Sequence, residues 1–180
     1  MAGRIGDATG ARVTSTDRLG RHPGRPWPQV RPQVDEYYSR LTDETIYWFL
    51  RVHHENIWPV IQHKIELGRS FGQYVLEGAA LRPELISTFA DDAISIVGLY
   101  ASREFLEHRM ETESRYAQAD EHGRVLISRF IARSLRDNEQ LIEDARRLRL
   151  RLVDVASPRN VSSVVEELTA TLSLRAPETG

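Results

Sequence analysis

Residues 124–155 read RVLISRFIARSLRDNEQLIEDARRLRLRLVDV, in which Ile127, Ile131, Ser134, Asn138, Leu141, Ala145, Leu148, Leu152 and Val155 follow one another at alternating steps of 4 and 3. That spacing returns side chains to one side of an α-helix and predicts a long helix with a heptad seam. With Ile131, Asn138, Ala145 and Leu152 at the a positions, one a position is an asparagine. A buried Asn there bonds its mate and fixes register at a cost in stability, so Asn138→Leu is expected to raise thermal stability while loosening the choice of oligomer. Asp144 and Arg149 fall at g and the following e, a spacing that pairs charges across a parallel dimer. Phe130, Leu135 and Ile142 widen the apolar stripe beyond a two-stranded seam, as in a bundle helix. The seam thus fits either a homodimer, held by Ile127, Ile131, Asn138, Leu141, Leu148 and Leu152, or a helix packed within its own chain. Residues 147–155, RLRLRLVDV, also alternate with period two as a half-buried strand does. No partner strand is evident and a lone strand is unstable, so the helix is expected to run through them.

Upstream, Val34, Tyr38, Leu41, Thr45, Trp48 and Val52 recur at helical steps, and Thr42 fits an N-cap that divides this stretch into two helices. Pro59 fits the first position of a further helix reaching about Glu77, with Gly78 as its left-handed C′ residue. Gly68 and Gly72 weaken that helix, a cost consistent with close approach of a neighbouring backbone. LRPEL restarts the chain at Pro83, with Ile86, Phe89, Ala93, Ile96, Val97 and Tyr100 as the buried stripe. Residues 107–122 are nearly all polar, and either continue as an exposed helix tied by Arg109–Glu113 and Glu111–Arg115 or fray before a break at Gly123. A last amphipathic helix uses Val161, Val164, Val165, Leu168 and Leu172, with Ser163 and Glu166 at capping-box spacing. The expected fold is all-α: a bundle of five or six helices over residues 33–174, forming one domain, with a tail at 175–180.

Residues 1–32 are rich in Gly, Pro and Arg with few apolar side chains, and read as a disordered basic arm in which Trp27 is a potential docking anchor. The 180-residue chain is 41% hydrophobic, enough for a core, and has a formal net charge of −2. Residues 1–34 are net +4, leaving the rest net −6, so no overall field recruits nucleic acid or an anionic membrane. Lys64 is the lone lysine among 24 basic residues, a bias that a GC-rich genome explains. The lack of cysteine excludes disulfides, zinc ribbons and thiol catalysis. No apolar run reaches the roughly 20 residues of a membrane span. No signal-peptide core is present, and a cytoplasmic location is expected.

Chemistry is sparse. Residues 51–64, RVHHENIWPVIQHK, hold three of the six histidines. Placed on helices, these point different ways, and His53, following Ile46, Phe49 and Leu50, faces apolar surroundings. His53 is therefore the candidate axial ligand for haem, and Trp48, Phe49, Trp58, Phe71 and Tyr74, with Tyr47, are the candidate lining of a small-molecule site. A metal site is conceivable from His63 and Glu66 with Glu104, His108 and Glu111, although arginines nearby offer these carboxylates ordinary ion pairs. No nucleophile elbow, phosphate-cradling glycine loop or paired-acid motif occurs, so catalysis is not expected. The basic arm with Arg146, Arg147, Arg149 and Arg151 is the candidate nucleic-acid surface, without a helix-turn-helix signature. The leading expectation is a non-enzymatic regulatory or interaction module whose partner is itself, through residues 124–155, or another helical protein. The alternatives are a haem-, metal- or small-molecule-binding sensor bundle and, third, a nucleic-acid binder.

Overall fold

The apolar spacing yields helices where it is long and sustained, and strands in several places where it is short. The computed structural model describes residues 1–20 and 22–174, and within them the chain is predominantly helical. The helices are α1 (Ala2–Thr9), α2 (Pro32–Arg40), α3 (Asp43–Phe71), α4 (Pro83–Ile86), α5 (Arg103–Ser114), α6 (Glu121–Arg147) and α7 (Pro158–Leu174). Four strands lie between them: β1 (Arg12–Ser15), β2 (Tyr74–Glu77), β3 (Val97–Tyr100) and β4 (Arg151–Asp154). β1 pairs with β2 and β3 with β4, both in parallel, as two separate ribbons. Parallel neighbours require long crossovers, supplied here by α2 and α3 in the first ribbon and α5 and α6 in the second.

The mostly helical architecture agrees with the expected helical fold, and the short strands are the departure from it. RLRLRLVDV does hold a strand, β4, because its partner exists in Val97–Tyr100, which the helical reading had assigned to a buried stripe. The helix opened by Pro83 ends at Ile86 and a 3-10 turn (Ser87–Phe89), so Ala93, Ile96, Val97 and Tyr100 are not on it. α6 accordingly stops at Arg147, so Leu148 and Leu152 are not on it. Residues 74–77 are strand rather than the end of a helix, and Gly78, at φ 136°, turns the chain after β2. An alanine Cβ at Gly78 would sit 1.9 Å from Thr16 Oγ1, so this turn needs a residue without one.

Residues 2–18, expected to be disordered, form α1, β1 and a 3-10 turn. The few apolar groups of this segment suffice because they are well placed: Ile5 is 3% exposed and α1 packs on α7. Trp27 docks edge-on against Phe130, with ring centroids 4.7 Å apart. The tail expected at 175–180 lies outside the described residues.

Other boundaries follow local chemistry. Thr42 caps α3, its hydroxyl accepting from the Thr45 N–H at 3.2 Å. Pro59 lies inside α3 rather than at a helix start; it and Glu55, whose carbonyl loses its helical donor, both face solvent. Residues 103–114 are helical, with Arg109 donating to Glu113 at 2.9 Å as expected. Arg115 instead terminates α5 in the left-handed conformation, φ 55°. Gly123 is no break: its N–H is the donor that Asp120 accepts to cap α6, at 2.7 Å. α7 starts at Pro158 with the Ser157 hydroxyl accepting from Asn160 N–H, so Ser163 and Glu166 lie within it and are not its capping box.

The first part of the heptad seam packs within the chain. Ile127 and Ile131 are buried with Leu135 against Leu106, Met110 and Tyr116, and Leu126 and Phe130 close a second cluster with Val34, Tyr38 and Ile46. Asn138, placed by the heptad across from a dimer mate, donates instead to the Ala101 carbonyl at 3.1 Å. α6 is thereby covered by α2, α3, α4, α5 and both strands of the second ribbon.

Candidate functional site

On α3, successive residues diverge by about 100°, and this separates the two adjacent histidines. His54 turns inward and is 3% exposed, while His53 is half-buried towards the loop that follows β1. That loop crosses back over α3. Gly20 lies so close to His53 that a Cβ there would be 2.6 Å from Cε1 and 3.2 Å from Nε2. His22 follows, its ring 5.3 Å from that of His53. The His22 Nδ1 accepts from the Gly24 N–H at 3.0 Å, which leaves the proton of the neutral ring on Nε2. Three histidines thus converge, but they are 22, 53 and 54, and His63 of the sequence cluster stands apart and exposed.

Arginines surround this corner. Arg82, 3% exposed, donates from Nε to Glu84 and from Nη1 to Asp137, each at 2.8 Å, and Arg51 donates to the same Glu84 oxygen at 2.7 Å. Burial pulls the Arg82 guanidinium down, but the hydrogen bonds and charges of Glu84 and Asp137 outweigh it and hold the pKa above its ordinary value. Two atoms of this network, Arg82 Nη2 and Glu84 Oε2, are buried without a hydrogen-bond partner. The network pins the turn before α4 to α3 and α6.

Arg133 differs. From α6 it donates to the Tyr38 hydroxyl at 3.2 Å and lies over the Phe130 ring, 4.5 Å from its centroid. Its Nε is buried without a partner, and no carboxylate among the described residues forms an ion pair with it. Its charge is felt across the corner. His54 is held down at a pKa of about 3, first by burial and then by Arg82, His53, His22 and Arg133. His22 is lowered by the covering of its ring, then by Arg133 and His53, and His53 is lowered by burial, with Asp17 opposing in both. Tyr38, wholly buried, is raised to about 12 by burial, against the pull of Arg133. The corner therefore places imidazoles of lowered proton affinity beside a cation without an ion-paired carboxylate, with Asp17 the acidic group felt at His22 and His53.

The expected aromatic site is not assembled. Trp48 and Phe49 are 55% and 46% exposed at one end of α3, whereas Trp58 packs on Phe89 within the Ile61 cluster. Tyr74 lies over Gly68 at the far end of the helix, and Tyr47 is buried under Arg136. Phe71 ends α3. With Trp48, Phe49, Trp58 and Tyr74 spread along α3, no aromatic pocket lines His53 as a haem site needs. His63, Glu66, Glu104, His108 and Glu111 are not brought together, and no group of three or more metal-ligating side chains forms among the described residues. Glu66 instead lies 3.9 Å from Arg69.

Of the candidate basic residues, Arg147 pairs with Asp144, Arg151 with Glu167 and Arg25 with Glu113, while Arg4, Arg12, Arg18, Arg31, Arg146 and Arg149 are exposed. No helix among the described residues is long and apolar enough to cross a membrane.

Sequence reasoning missed His22, Arg82 and Arg133. The first lay in a segment dismissed for its composition. The last carried a readable signal: Leu126, Phe130, Arg133 and Asp137 share one helical stripe beside the seam, and two charged residues interrupt it. No family model matches the chain, and neither a curated protein nor a solved structure is significantly similar to it.

Proposed function

We propose that this chain is a binding module for a small anionic ligand, one bearing a phosphate or carboxylate group. The binding corner is formed by Arg133, the half-buried His53 and the loop carrying His22. The observation that carries this reading is Arg133, a partly dehydrated guanidinium with an unpartnered Nε and no ion-paired carboxylate. A charge in that position costs free energy that a bound anion offsets. Arginine offers planar paired donors suited to phosphate and carboxylate, and the Nε2–H of His22 adds a neutral one. The reading retains a ligand-binding role for His53 and replaces the aromatic lining with cationic groups. Self-association through residues 124–155 has less support, because Ile127, Ile131 and Asn138 already have partners inside the chain.

The test is a titration with inorganic phosphate, and separately with acetate, followed through the ring signals of the histidines by NMR. Saturable shifts confined to His22 and His53 are expected, and Arg133→Met abolishes them while His63 and His108 stay unmoved in both proteins. Equal, non-saturating shifts of all six histidines would show ionic strength alone at work and refute the proposal.

A further inference from the structure

The turn that carries His22 holds a hydrogen bond that exists in one protonation state only. The Gly24 N–H donates to the His22 Nδ1 at 3.0 Å, and an imidazole nitrogen accepts only while it bears no proton. The bond lies at the surface, so a proton reaches that nitrogen without unfolding of the chain. A proton on Nδ1 sets one donor against another, and turning the ring over presents a C–H in its place. Neither arrangement satisfies Gly24.

The surroundings add to that loss. From α3, the His53 ring lies 5.3 Å from that of His22, while His54, with a pKa of about 3, stays neutral. From α6, the Arg133 charge disfavours a proton on His22, as does His53, and Asp17 of the 3-10 turn Thr16–Arg18 favours one. Arg82 is paired with Glu84 and Asp137. A protonated His22 thus loses its bond within the turn and meets Arg133 and His53 as repelling neighbours. The chain on either side is fixed. Leu19 packs in the Ile61 cluster, and Gly20 lies against His53 and Ile57. The Gly24 carbonyl accepts from the Tyr38 hydroxyl at 3.1 Å, and Trp27 seats on Phe130. Movement is therefore confined to His22 and the backbone that joins it to Gly24, where φ is 86° and glycine adopts it without strain.

We propose that the His22–Gly24 turn is a proton-operated catch, seating the His22 ring against His53 while that ring is neutral and opening when Nδ1 takes up a proton. Opening withdraws the ring from His53 and leaves the surrounding fold in place. The catch stands on its own hydrogen bond and does not require the anion reading.

The experiment is an NMR titration of the full chain from near-neutral pH downward, without added anion. Near neutrality the ring nitrogen signals of His22 should show a bare Nδ1 and a protonated Nε2. On acidification the His22 ring should titrate with a midpoint below the ordinary 6.5. The Gly24 amide signal should shift with that same midpoint, and the cross-peaks between the His22 and His53 rings should be lost. His22→Asn supplies an oxygen that accepts from the N–H two residues on and takes no proton in this range. In that variant the Gly24 amide should stay still while the exposed His122 titrates as before. A proton on Nδ1 near neutrality, or a Gly24 amide that stays still while His22 titrates, would overturn the proposal. Unfolding before His22 titrates, or the same Gly24 movement in His22→Asn, would overturn it as well.

Discussion

Acidification tests the interior of the histidine corner most directly. His54 is 3% exposed with a pKa of about 3, against 6.5 for the unconstrained ring. Between these values the unfolded chain binds a proton at position 54 that the folded chain refuses. The stabilisation is therefore complete above the unfolded value and is lost as pH falls. From about pH 7.5 to about pH 5 the loss from this one group is about 2 kcal/mol, at 1.36 kcal/mol per unit. His22 and His53, also lowered, act in the same direction. His122, raised by its hydrogen bond to Asp35, acts oppositely: its contribution is full below the ordinary value and lost as pH rises. Comparing the wild type with His54→Gln cancels these other groups. Urea denaturation of both proteins at the two pH values, with unchanged m, should show the variant losing about 2 kcal/mol less than the wild type. Equal losses would mean that His54 takes up a proton freely in the folded state, and the buried corner would be misdescribed.

Two further substitutions probe how α6 is held. Arg82→Met leaves Asp137 without its partner, while Arg51 still engages Glu84, and should cost about 3 kcal/mol in chemical denaturation; a loss within error of zero would make the network ornamental. Asn138→Leu reverses the expectation drawn from the heptad: it strips the Ala101 carbonyl of its donor, and Ala101 is 1% exposed. The melting temperature should fall by the equivalent of about 1–3 kcal/mol, and a rise would restore the dimer reading.

The long amphipathic helices were legible because their signal repeats over many turns. The Thr42 cap divides α2 from α3, and the seam residues Ile127 and Ile131 are buried as their spacing requires. What covers them was not legible, since periodicity specifies a face and not its partner. The strands were obscured by their length. YVLE and VGLY each offer only three apolar residues, too few to distinguish a buried strand from a helix turn. Their partners lie far off in sequence, Arg12 opposite Tyr74 and Val97 opposite Arg151. RLRLRLVDV carries its strand signal openly, but a strand needs a partner, and VGLY does not declare itself as one in the sequence.

The same separation explains the histidines. HH at positions 53 and 54 invites a reading as one paired site, but adjacent helical residues face different environments, and the inward ring is the one least able to take a proton or a ligand. The ring that does meet His53 comes from position 22, in a Gly- and Pro-rich stretch whose composition argued for disorder. That stretch is held by specific contacts: the Tyr38 hydroxyl donates to the Gly24 carbonyl at 3.1 Å, and Trp27 seats against Phe130. Both anchors belong to the cluster that the α6 stripe builds, and Arg133 projects from the same helix one turn beyond Phe130. The helix that decides the fold thus also positions the loop histidine and the uncompensated cation. Changes to the packing of Phe130, such as Phe130→Leu, should therefore shift the NMR ring signals of His22 and His53 while leaving those of the exposed His63 and His108 in place, and unmoved His22 and His53 signals would refute this coupling.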